Sequence, residues 1–168
     1  MEDTPIVEQS AIEPKTFDPK YALASKQHQP ILLLSNTKDL SRILQISLET
    51  LANWRVFPAA LDYENLILIE TVKPKLILLD TTLPNVRELG MLKAILAHPA
   101  LQNVPIILLT ERMRLADRKL YARLGVCNAV VKPFDIIDLV QQIAIQLNQD
   151  CLNFDEVKGD RNNLIHQK

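Results

Sequence analysis

Asp80 closes the run LILLDTTLP (Leu76 to Pro84), in which an apolar strand delivers one carboxylate to its own C-terminal end. That is the edge at which open α/β sheets bind ligands and do chemistry. Three other apolar runs also end in polar residues: ILLLSN in Ser35 and Asn36, PIILLT in Thr110, and VVKPF around Lys132. A carboxylate, a hydroxyl and an ammonium are thereby offered at successive strand ends. Asp80 and Lys132, about 4 Å apart at an effective dielectric near 20, would attract by roughly 4 kcal/mol before desolvation is subtracted. Each residue also has a plainer role open to it: a strand-end Asp as a helix cap, a Thr as a half-buried strand residue, a Lys before Pro as a solvated charge.

The elements that must position these groups alternate along the chain. Ile31 to Leu34 reads as a strand, and Thr37 to Leu51 as a helix with Leu40, Ile43, Leu44, Ser47, Leu48 and Leu51 at three-and-four spacing. Arg55 to Phe57 makes a short strand, and Leu61 to Thr71 a helix stopped by Lys73-Pro74, because a residue before proline is pushed out of the helical region. Strand Leu76 to Leu79 follows, then a helix from Val86 to Ala97, strand Ile106 to Leu109, and a helix from Met113 to Leu124 closed by Gly125 as a left-handed cap. Strand Val126 to Val131 precedes a last helix, N-capped by Asp135 and carrying an apolar face from Ile136 to Leu147. Five apolar strands separated by helices predict a doubly wound five-stranded parallel sheet of the α/β class, covered on both faces.

Composition bounds the rest. A chain of 168 residues, 48% hydrophobic and 5% aromatic, fits one aliphatic-cored domain. We place a polar N-terminal arm at residues 1–28, the domain at 29–149 and a polar C-terminal tail at 150–168, a tail too short for a fused DNA-binding module. A formal charge of -1 predicts no nucleic-acid partner. No apolar run is long enough to span a membrane, and the acidic start is unlike a secretory signal, so the expected location is cytoplasmic. Cys127 and Cys151 lie far apart without a C-x-x-C pair, suggesting neither a disulfide framework nor a zinc site, and Cys127 reads as a buried strand residue.

Asp80-x-x-x-Pro84, strand-Thr110 and strand-Lys132-Pro133, in this order, resemble the receiver domain of two-component response regulators over about residues 30 to 148. The resemblance implies Asp80 as the acceptor of a phosphoryl group from a phosphohistidine, forming an acyl phosphate. It implies Thr110 and Lys132 as ligands of the phosphoryl oxygens. It also implies a cis Lys132-Pro133 peptide, and a histidine kinase or downstream effector as protein partner.

The departures from that pattern carry equal weight. Family members hold Mg2+ with two adjacent acids after the first strand, and here those positions are Ser35 and Asn36. Only Asp80, the Asn36 carbonyl and a backbone oxygen remain as metal ligands, a poor set for a hard cation. Weak Mg2+ binding at best is expected, with Asp80 and Lys132 balancing each other in its place. The switching aromatic of the family is Ala129, the small residue after the strand-end Thr is Glu111, and a frequent glycine is Glu88.

Arg112, Arg114, Arg118, Lys119 and Arg123 load the helix after the fourth strand with positive charge. They form either a solvated face or a docking surface for an acidic partner. Two functions follow: a phosphoacceptor with impaired Mg-dependent transfer, or a phosphorylation-independent pseudo-receiver acting as a binding module. An enzyme or flavodoxin-like cofactor binder is disfavoured, since three glycines leave no phosphate-cradling loop.

Overall fold

Strict alternation along the central strands sorts the core into two layers. Ile31, Leu33, Leu76, Leu78, Ile107 and Leu109 face one side, while Leu32, Leu34, Ile77, Leu79, Ile106 and Leu108 face the other. In the computed structural model, which describes residues 29–81 and 85–148, these strands form one parallel sheet. They are β1 (Pro30–Leu34), β2 (Arg55–Ala59), β3 (Leu76–Thr81), β4 (Ile106–Thr110) and β5 (Asn128–Val131), ordered β2-β1-β3-β4-β5. The helices are α1 (Lys38–Ala52), α2 (Ile67–Val72), α3 (Val86–Leu96), α4 (Leu115–Leu124) and α5 (Ile136–Asn148). Leu44 and Leu48 of α1 pack with Leu139, Val140 and Ile143 of α5 on one face of the sheet. Ile69 of α2, Met91, Leu92 and Ile95 of α3 and Tyr121 of α4 cover the other. The doubly wound α/β architecture expected from the sequence is the one found.

Three elements differ from the sequence reading. The helix expected over Leu61 to Thr71 is a 3-10 turn (Glu64–Leu66) running into the short α2. Asp62 Oδ1 accepts the Asn65 amide at 2.9 Å, so helical structure starts only after Asp62, although apolar spacing extends further back. α2 ends where Lys73 turns left-handed at φ 50 ahead of Pro74. α4 begins at Leu115 rather than Met113, because the Asp117 carboxylate accepts the Arg114 amide at 3.0 Å and sets its start. Arg112 and Arg114 of the basic series therefore precede the helix. The last strand starts at Asn128, which leaves Val126 and Cys127 ahead of it. Cys127 is buried as expected but is disulfide-bonded rather than free. The sequence around Cys127 carries no spacing signal of a disulfide.

Asp135 caps α5 as read from the sequence, accepting the Ile137 amide at 2.7 Å. Gly125 adopts φ 86 at the end of α4, the left-handed cap its position predicts. Among the described residues no helix is long and apolar enough to cross a membrane. The arm at 1–28, the tail at 150–168 and Pro84 lie outside the described residues.

Candidate functional site

β3 is buried along its whole length, and its alternation turns Asp80 to the same face as Leu76 and Leu78. Asp80 therefore emerges at the C-terminal edge of the central strand, 7% exposed, where an unpaired carboxylate would carry a heavy desolvation cost. Both of its oxygens are engaged. Lys132 Nζ lies 2.6 Å from Oδ1, and the Ser35 hydroxyl donates to Oδ2 at 2.6 Å. Ser35 is itself fixed by the Thr37 amide, which donates to its Oγ at 3.0 Å.

Lys132 follows β5 at the cis Lys132–Pro133 peptide, and its amide donates to the Thr110 carbonyl at 2.8 Å. Its ammonium meets a second carboxylate, Glu111 Oε1 at 3.0 Å. The balance of one acid against one base expected from the sequence is thus corrected: two carboxylates share one lysine. Burial by itself pulls the Lys132 pKa down, but hydrogen bonds and charge from Asp80 and Glu111 outweigh it and raise the pKa above its ordinary value. The Glu111 side chain is 61% exposed, so its share of that attraction is screened by solvent.

Thr110 pairs in register with Thr81, one residue beyond Asp80, and so shares the opposite face of the sheet with it. Its hydroxyl donates to the Arg112 carbonyl at 3.0 Å. Asn36 Oδ1 accepts the Leu61 amide at 3.0 Å, which engages the oxygen that a metal would need. Asp80 and Lys132 are therefore brought together, Thr110 stands one strand away with its hydroxyl tied to its own loop, and Asn36 serves a neighbouring turn.

Three participants escaped the sequence reading. Ser35 counted there only as a lost acid, yet it completes the shell of Asp80. Glu88 stood out as a missing glycine, and it accepts a hydrogen bond from the buried Thr81 hydroxyl at 2.6 Å. Tyr121 of α4 is 1% exposed in the layer that Ala129 also joins, a buried aromatic supplied by a helix rather than by β5. Burial, then the charge of Asp117, raises its pKa. Its hydroxyl lies beside Thr110 without forming a good hydrogen bond.

A parallel sheet in this order, with an acid at the end of the central strand and a lysine before a cis-proline at the edge strand, defines a receiver-type module. Residues 31–144 match the family model of the response regulator receiver domain, and the chain belongs to that family. It is 30% identical over 117 residues to the probable transcriptional regulator ycf27 of Porphyra purpurea, covering 70% of this chain and 46% of that protein. It is 29% identical over 133 residues to the response regulator ArlR of Staphylococcus saprophyticus, covering 77% and 57%. The chain thus spans about half the length of these relatives. Among solved structures, a putative response regulator from Chloroflexus aurantiacus superposes with a TM-score of 0.64 at 23% identity, covering 73% of this chain and 100% of that one. The chemotaxis response regulator CheY4 of Vibrio cholerae does so with 0.63 at 18%, covering 71% and 99%. Both show the same fold.

Proposed function

We propose that this receiver domain is a signalling module, not an enzyme, in which Asp80 stands as phosphoacceptor but metal-dependent phosphoryl transfer is impaired. The carrying observation is the closed shell around Asp80, with Lys132 on one oxygen, Ser35 on the other, and Glu111 on Lys132. An incoming phosphoryl donor must displace one of these contacts. It must also approach a cluster with one excess negative charge, since Asp80 and Glu111 face a single Lys132. A further negative charge about 6 Å away, at an effective dielectric near 20, is repelled by about 3 kcal/mol.

The donor set does not fit Mg2+. That ion prefers carboxylate oxygens beside phosphate and gives up its water reluctantly. Ser35 supplies a hydroxyl already donated to Asp80, and the Asn36 carbonyl is already bonded to Leu61. Signalling then passes through protein contacts, with a histidine kinase or a downstream effector as partner. Arg112, Arg114, Lys119 and Arg123 are exposed and Arg118 is half-buried, which suits a docking face for an acidic partner around α4.

The Glu111–Lys132 contact favours a second reading, a pseudo-receiver that works without phosphorylation because its own carboxylate occupies the lysine. The test is the intact mass of the protein after incubation with a small acyl-phosphate donor and Mg2+, with Asp80→Asn as control. Slow, partial labelling that vanishes in the control supports the impaired phosphoacceptor. No labelling at all favours the pseudo-receiver, and rapid stoichiometric labelling contradicts both.

A further inference from the structure

At the pole opposite Asp80, where the strands begin, the chain leaves a groove that the site chemistry does not use. A cavity of about 700 Å³ lies between the end of α2 and the segment leading into β4. Ile69, Pro74 and Val104 give it an apolar floor, and Lys73, Lys75 and His98 stand at its rim. Both lysines are exposed, and Lys73 has a left-handed backbone at the end of α2. Glu70 is the acidic residue of the lining, and His98 Nε2 sits 3.7 Å from its Oε1. The other ring nitrogen of His98 accepts the Ala100 amide at 3.3 Å. The rim thus carries two lysines against one carboxylate, a net positive charge. A second hollow of about 430 Å³ shares Lys75 and Asn103 with the first and reaches Gln29, where the polypeptide enters β1.

We propose that this basic, apolar-floored groove is an intramolecular docking site for residues 2–13 of the same chain. The sequence EDTPIVEQSAIE brings Glu2, Asp3, Glu8 and Glu13 together with Ile6, Val7 and Ile12, and the first fourteen residues contain no lysine or arginine. Acid meets the lysine rim and the branched aliphatics meet the floor. The sequence after residue 148 suits the groove less well, because Lys158, Arg161 and Lys168 offset its acids. Attachment is favourable, since residues 14–28 lead directly to Gln29 on the rim. A random-coil chain of fifteen residues has an r.m.s. span of about 20 Å. Such a tether supplies an effective concentration on the order of 1 mM, so a contact with a dissociation constant of about 1 mM is half-occupied in cis.

The test is made on the full chain. A zero-length carbodiimide reagent, which joins a carboxylate to a lysine amine, should link Glu8 or Glu13 to Lys73 or Lys75 within one molecule. The links should disappear in 0.5 M salt (about a 4 Å Debye length). Amide hydrogen exchange over residues 69–75 and 98–104 should run about twofold faster in the variant Glu2→Gln, Asp3→Asn, Glu8→Gln, Glu13→Gln than in the parent, as half-occupancy requires. Equal exchange in both chains overturns the proposal. So do links found only between isotopically labelled and unlabelled copies, which would make the occupant a second molecule, and links that run only to the C-terminal acids.

Discussion

Replacing Lys132 with alanine removes the cation from a carboxylate whose side chain is 5% exposed. Breaking a fully buried ion pair by deleting one partner costs about 3–5 kcal/mol. Here the pair sits at the edge of the sheet, Lys132 is 17% exposed, and the Ser35 hydroxyl stays on Asp80, so the loss falls to about 1.5–3 kcal/mol. For a domain of this size that lowers Tm by roughly 6–12 °C. Asp80→Asn should cost less than about 1 kcal/mol, because Lys132 keeps Glu111 and the amide still accepts from Ser35. Urea unfolding at pH 7 measures both. The lysine also sets a pH signature. Its pKa in the folded protein is raised above the ordinary 10.5, so the stability it contributes is complete below about pH 10 and is lost as pH rises through the raised value. The gap between parent and Lys132→Ala should therefore be constant from neutral pH to about pH 10 and narrow as pH rises through the raised value. Tyr121, whose pKa is also raised, titrates in both chains and cancels in the difference. A Lys132→Ala protein as stable as the parent, or a clear rise in Tm for Asp80→Asn, would refute the reasoning, the second by placing Asp80 in net negative surroundings.

Ser35→Ala should destabilise by about 1–2 kcal/mol in the same unfolding experiment, since it removes a 2.6 Å hydrogen bond to a buried carboxylate. Tyr121→Phe should be neutral or stabilising by up to about 1 kcal/mol, because the buried hydroxyl lacks a good partner; a loss above that would mean the Thr110 contact is a real bond. Titration calorimetry should show little heat below millimolar Mg2+, as expected for a site with one carboxylate, and a submillimolar dissociation constant would overturn the argument from donors.

Much of the fold was legible because period-2 alternation and near-continuous apolar runs each carry a local signal. Leu76 to Leu79 could only be a buried strand, and Asp80 at its end could only face a site or a cap. Asp62 shows where that signal ends: apolar spacing from Leu61 onward fits a helix, while one side-chain hydrogen bond to Asn65 delays the helical start. Arg114 and Asp117 shift α4 in the same way. At the site, Asp80 and Lys132 were readable from strand-end positions. The Glu111 contact was not, because it depends on how the chain after β4 lies against the chain after β5. Tyr121 was hidden for a related reason: its helical spacing says only that it is buried, not which strand end its hydroxyl meets.

The central claim of the proposed function is that Asp80 is held by Lys132 and Ser35 in place of a metal, and putting acids at positions 35 and 36 tests it most directly. The double change Ser35→Asp and Asn36→Asp removes the hydroxyl from Asp80 Oδ2 and places two carboxylates beside it. Incubated with a small acyl-phosphate donor and Mg2+, the double variant should gain one phosphate on Asp80 at least tenfold faster than the parent, a difference of about 1.4 kcal/mol in barrier. Labelling of the unmodified protein at an equal rate would contradict the account.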